Sequence, residues 1–130
     1  MEYPPYIINL GRKNKEIRMK FSVSERYNAV VITLSGNVMG GDESVEFLDA
    51  IKKFIESGKK NIVINLGEVK FLNSSGLGML ISAHTTVTKA EGKLKLSNIG
   101  DKIENLLVIT KLITIFEVHE TVEKAVESFA

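Results

Sequence analysis

The chain has no cysteine. That excludes disulfides, thiolate metal sites and cysteine nucleophiles together, and it is compatible with a reducing compartment. Tryptophan is also missing, and the two prolines are Pro4 and Pro5, so no proline interrupts any later segment. Histidine occurs only as His84 and His119, without the paired spacing that metal ligation uses, so no metal site is expected. No run approaches the roughly 18 apolar residues of a membrane span. The first residues lack a basic stretch followed by an apolar core, so the expectation is a cytoplasmic protein with no membrane insertion. Charge of either sign is nearly balanced at +1, which argues against a role built on nucleic-acid phosphates. Arg12, Lys13, Lys15, Arg18 and Lys20 form a basic cluster without interleaved aromatics. They read as a solvated face, with steering of an acidic partner as the alternative.

Catalytic signatures are absent too. A serine on a strand-to-helix turn invites comparison with a nucleophile elbow, but the required Gly-x-Ser-x-Gly is missing: Leu72 stands two before Ser74, and Leu77 two after Ser75. His84 lies ten residues beyond Ser74, about 15 Å along a helix at 1.5 Å per residue, too far for a triad. No Gly-Lys-Ser/Thr follows a glycine-rich strand end, so a Walker-type phosphate loop is excluded. Neither an enzyme nor a cofactor-binding protein is indicated.

What is present is enough apolar material, 44% of 130 residues, for one globular core. Strands are expected at about Arg18 to Ser24 and Ala29 to Leu34, joined as a hairpin through Glu25-Arg26-Tyr27-Asn28. A helix is expected from near Glu43 to Ser57, with Val45, Leu48, Ile51 and Ile55 on one stripe, Phe47 and Phe54 widening it, and Gly58 ending it. Asn61 to Leu66, bounded by Gly58 and Gly67 and rich in β-branched residues, reads as a buried strand. Further on come a strand at Lys93 to Ser97, a helix from about Lys102 to Thr110, a short strand near Ile113 to Phe116, and a last helix from Glu120 to Phe129 flanked or capped by His119. Leu106 to Phe116, broken by Lys111, reads as a helix end passing into a strand. The alternation predicts an α/β domain: a mostly parallel four- to five-stranded sheet with an antiparallel N-terminal edge and about four helices. The domain is placed at 17–130 and an N-terminal extension at 1–16. Tyr3, Tyr6, Ile7, Ile8 and Leu10 are too apolar for a free tail and imply packing on the domain or on a second copy, a homodimer.

The most informative segment is Phe71-Leu72-Asn73-Ser74-Ser75-Gly76-Leu77-Gly78. After it Leu77, Leu80, Ile81, His84 and Val87 recur at steps of three and four, so the serines fall at or near a helix N-cap. Capping alone explains such serines. Two glycines in a first turn, each costing about 1 kcal/mol against alanine, require a gain elsewhere. That gain is either close packing on the sheet or close approach by another molecule.

These residues resemble the signature of the anti-sigma factor antagonists, the bacterial STAS domains, whose usual form is Phe-Met-Asp-Ser-Ser/Thr-Gly-Leu-Gly. The order of elements from about Ile17 to Phe129 fits as well, including Gly36 at the close of the second strand and Glu91-Gly92-Lys93-Leu94-Lys95-Leu96 leading into a fourth. The resemblance implies a small α/β domain that binds a serine kinase doubling as an anti-sigma factor, is released when that kinase phosphorylates it, and is reset by a serine phosphatase. Ser74 corresponds to the phosphorylated serine and Ser75 to its Ser/Thr neighbour. The partner-binding set it implies is Asn37, Met39, Asp42, Asn73, Ser74, Ser75, Gly76 and Gly78. Two departures stand out: Asn73 replaces the usual aspartate, and Met39 occupies an expected acidic position. A second reading is therefore a STAS-like interaction module that is not phosphorylated and regulates a transporter or signalling complex. Independently of the family, a phosphate at a helix N-terminus is tolerated by the fold, so its effect would fall on a docked partner.

Overall fold

The computed structural model describes residues 18–129. The boundary expected at 16/17 and the apolar arm before it lie outside these residues. Five strands, β1 (Lys20–Glu25), β2 (Val30–Val38), β3 (Asn61–Leu72), β4 (Lys93–Ser97) and β5 (Glu117–His119), form one sheet in the order 1-2-3-4-5. β1 pairs antiparallel with β2, and every other pairing is parallel. The helices are α1 (Asp42–Glu56), α2 (Ser74–Lys89), α3 (Gly100–Ile109) and α4 (Val122–Glu127), with a 3₁₀ turn at Leu112–Thr114. The expected α/β sheet with its antiparallel edge is therefore what forms.

Strand alternation sets the layers. Val30, Ile32, Leu34, Ile62, Ile64, Leu94 and Leu96 point to one side, where Phe47 and Ile51 of α1, Leu80 and Val87 of α2 and Leu107 of α3 complete the main core. Val31 and Val63 point the other way and meet Ala125 of α4 in a smaller cluster. Lys95, only 4% exposed, serves that second face. Its ammonium donates to Ser128 Oγ at 2.6 Å, pairs with Glu117 at 3.0 Å and lies 4.2 Å from the Phe129 ring centroid. A buried lysine is tolerable only when paired in this way, and here the pairing fixes the end of α4 against the sheet.

Several boundaries differ from the sequence reading for physical reasons. β2 does not close at Gly36: that residue takes φ 85° and the strand runs on to Val38 through a register shift. β3 likewise runs past Gly67, whose N–H donates to Asn65 Oδ1 at 3.0 Å, and pairing with β2 resumes at Glu68. Both are bulges, which bend and re-aim a strand rather than end it. The expected strand at Ile113 to Phe116 is instead the 3₁₀ turn: Lys111 adopts φ 66°, and Leu112, Ile113 and Phe116 plug the core before β5 begins at Glu117. The last helix begins after Thr121, whose side chain accepts the Lys124 N–H at 3.1 Å, so His119 flanks it without capping it. On α1, Val45 is 58% exposed because it sits two positions before buried Phe47, on the opposite side of the helix.

Candidate functional site

The C-terminal ends of β2 and β3 lie side by side, with Asn37 opposite Phe71 and Val38 opposite Leu72. Each strand leads into a helix there, β2 into α1 and β3 into α2. Crevices at the carboxyl ends of parallel strands are where such folds bind their ligands.

Asn73 is the N-cap of α2. Its Oδ1 accepts the Gly76 N–H at 2.8 Å, and its backbone N–H donates to the Val38 carbonyl at 3.3 Å. The serines therefore do not cap. Ser74 and Ser75 are the first two helical residues, both exposed, and within the described chain their own amides donate no hydrogen bond. No acidic residue stands in this first turn. An exposed hydroxyl above two free N–H groups at the positive end of a sixteen-residue helix is favourably placed to carry an anionic group.

The β2–α1 loop closes over this turn. Gly40 and Gly41 both have positive φ, 82° and 84°, a conformation that side chains resist. A β carbon on Gly40 would lie 3.0 Å from Ser75 Cβ, so the loop and the serine pair touch. Asp42 begins α1 just beyond, exposed, and Arg18 pairs with Glu43 beside it. Asn37, Met39, Asp42, Asn73, Ser74 and Ser75, drawn from two distant stretches of sequence, are thus brought to one face.

The two glycines of the turn differ. Gly76 is buried, and a β carbon there would run into the Val38 carbonyl and come within 2.9 Å of Leu72 Cδ1. Close packing explains it. Gly78 is partly exposed with nothing within 4 Å of the β-carbon position, which leaves a shallow open spot on the same face. Phe71, Met39 and Val45 are exposed apolar side chains at this end of the molecule, at 52%, 40% and 58%; the sequence places Met39 at the site, whereas Phe71 reads only as part of the motif and Val45 as part of the buried stripe of α1. The signal available for Phe71 was its odd register after the bulge at Gly67, which is visible only once the pairing with β2 is known.

His84 lies further along α2, its ring 5.3 Å from that of Phe116 in an edge-to-face pair, and so serves the core. Among the described residues no three His, Cys, Asp or Glu side chains come together as a metal site. No helix among them is long and apolar enough to cross a membrane.

The structure is thus a small α/β domain whose mixed sheet carries, at its carboxyl edge, a helix that begins with two exposed serines. The family model of the STAS domain matches residues 20–125, and the chain belongs to that family. A Thermotoga neapolitana relative is 27% identical over 75 residues, 58% of this chain; the chain spans 66% of that relative's length. The anti-sigma-B factor antagonist of Staphylococcus aureus is 26% identical over 89 residues, covering 65% of this chain and 82% of the relative. Among solved structures, the Bacillus cell fate determinant SpoIIAA in its phosphorylated form superposes with a TM-score of 0.67 at 20% identity, over 85% of this chain and all of that one. That likeness concerns the fold.

Proposed function

We propose that this protein is an anti-sigma factor antagonist in a cytoplasmic partner-switching pathway, regulated by reversible phosphorylation of Ser74. Its partner is an anti-sigma factor that is also a serine kinase, and a serine phosphatase restores the free hydroxyl. The observation that carries this reading is the position of Ser74: exposed, first in α2, on a cap that Asn73 maintains without help from the serine hydroxyl. The Staphylococcus relative, an anti-sigma-B factor antagonist, supports the regulatory class.

Phosphate would add about −1.5 to −2 charges where free N–H groups and the helix dipole receive them, so folding is spared. The change falls on whatever docks over Ser74, Ser75, Gly78 and the Asn37 to Asp42 segment, through bulk and altered charge at the interface. Asn73 and Met39 replace acidic residues, and this favours a second reading, an interaction module of a transporter or signalling complex that is never phosphorylated.

Phosphopeptide mass spectrometry on protein isolated from its native cells separates the two. Trypsin releases Phe71 to Lys89 as one peptide, and phosphate on Ser74 in that peptide supports the switch. Full coverage across growth conditions without phosphate would transfer support to the constitutive module.

A further inference from the structure

Ser74 and Ser75 are adjacent and both exposed, yet the loop between β2 and α1 meets them unequally. The three heavy atoms nearest to where a β carbon on Gly40 would lie all belong to Ser75: its β carbon at 3.0 Å, and its carbonyl carbon and oxygen at 3.7 Å each. Ser74, about 100° away around the helix, contributes none of them. The Ser75 hydroxyl oxygen is not among them either. Gly40 therefore lays bare backbone against the Ser75 β carbon, an approach that its missing side chain and its φ of 82° both require.

The ends of this loop are fixed. The Val38 carbonyl accepts the Asn73 N–H at 3.3 Å, and the Gly41 carbonyl accepts from Ser44 twice, from its amide at 3.1 Å and from its Oγ at 2.7 Å. Between those points the amides of Met39, Gly40 and Gly41 donate no hydrogen bond among the described residues. Two consecutive glycines also lose more conformational freedom on ordering than other residues do. A segment with few hydrogen bonds and a high ordering cost opens locally unless a packing contact holds it, and the contact on the page is Gly40 on Ser75.

We propose that Ser75 is a positioning residue for this loop: its β carbon, not its hydroxyl, seats Gly40 and thereby fixes Met39 and Asp42 on the face that carries Ser74. The two serines then have separate roles. Ser74 is the group that a partner or a modifying enzyme meets, and Ser75 holds the neighbouring loop in place for the same encounter. The value of the seating for docking rests on the proposed function, but the seating itself belongs to the free protein and does not depend on Ser74 being phosphorylated.

Truncation at each serine of the full chain tests this. Ser75→Ala keeps the β carbon and Ser75→Gly removes it, while Ser74→Gly imposes the same loss of helix propensity one position earlier. Each is a single propensity change that a folded domain tolerates. The ¹⁵N order parameters of Gly40 and Gly41 are expected to fall in Ser75→Gly and to keep their wild-type values in Ser75→Ala and Ser74→Gly. Wild-type order parameters in Ser75→Gly would overturn the proposal. An equal fall in Ser74→Gly would also overturn it, by tracing the loosening to fraying of α2, and an equal fall in Ser75→Ala would do so by making the hydroxyl the holding group. No kinase or partner enters these measurements, so a Ser74 that is never phosphorylated would leave their outcome unchanged.

Discussion

The carbonyl of Val38 occupies the space that a β carbon on Gly76 would need, with Leu72 Cδ1 2.9 Å from the same point. The end of β2 is thereby laid directly on the first turn of α2, and the Asn73 N–H donates to the same carbonyl. Alanine ordinarily gains about 1 kcal/mol over glycine inside a helix. At position 76 the sign reverses: forcing the loop away costs about 1 to 3 kcal/mol, as overpacking does. Urea denaturation of Gly76→Ala is expected to show that loss, and an unchanged or raised midpoint would mean the contact is softer than its geometry.

Gly78 predicts the opposite outcome. With nothing within 4 Å of the β-carbon position, Gly78→Ala is expected to stabilise the protein by about 1 kcal/mol, from helix propensity alone. Gly78→Leu should fold equally well yet bind the partner more weakly, because the side chain enters the open spot on the proposed docking face. Isothermal titration with the purified partner reads the binding, and unimpaired affinity would remove Gly78 from the interface.

Asn73 caps α2 through one hydrogen bond at 2.8 Å. Asn73→Ala is expected to cost about 1 kcal/mol of folding stability. Asn73→Asp should keep the cap and gain about 0.3 to 1 kcal/mol from the helix dipole. A kinase that requires the acidic residue would phosphorylate Ser74 faster in Asn73→Asp than in wild type. Equal rates would show that the asparagine is no handicap.

Ser74→Asp separates folding from docking. An acidic residue in the first turn of a helix is favourable by about 0.3 to 1 kcal/mol, so Tm should stay level or rise slightly. Partner affinity should fall. Equal binding by Ser74→Asp and wild type would count against Ser74 as the switch, and a collapse of Tm would make it a structural residue instead.

Much of this could be read from the amino-acid order because local pattern and tertiary need coincide. β-branched runs made the central strands, the three-four spacing after Leu77 made α2, and the Lys93–Ser97 strand formed at its expected bounds. What stayed illegible depends on pairing. Gly36 and Gly67 look like strand ends, but a ladder that resumes beyond each makes them bulges. Ile113 to Phe116 has strand composition, but Lys111 at φ 66° turns the chain so that it plugs the core. At the candidate site, Ser74 and Ser75 were visible as a motif. That Asn73 does the capping is a local choice which three successive cap-forming residues, Asn73, Ser74 and Ser75, leave open, and that Gly40 fits against Ser75 follows from a contact between segments 35 residues apart.

Glu117 gives the acid limb of stability a specific origin. Its carboxylate accepts from His119 Nε2 at 2.6 Å and pairs with the buried Lys95 ammonium at 3.0 Å. These two partners, the histidine first and then the lysine, hold its pKa below the ordinary glutamate value. A carboxyl group whose pKa is lower in the folded than in the unfolded chain stabilises the fold above its unfolded value. That contribution disappears as pH falls through the folded value. Glu117 is about half exposed, with a side-chain exposure of 53%, so solvent screens the effect, but Lys95 at 5% does not share that exposure. Glu117→Gln should therefore lower Tm at neutral pH and flatten the decline below the glutamate range, the two proteins converging in acid. Lys95→Met in the same background tests the pairing: if Lys95 is the buried charge that Glu117 compensates, Glu117→Gln will cost less in Lys95→Met than in wild type. Equal losses in both backgrounds, with parallel pH curves, would place the acid sensitivity elsewhere.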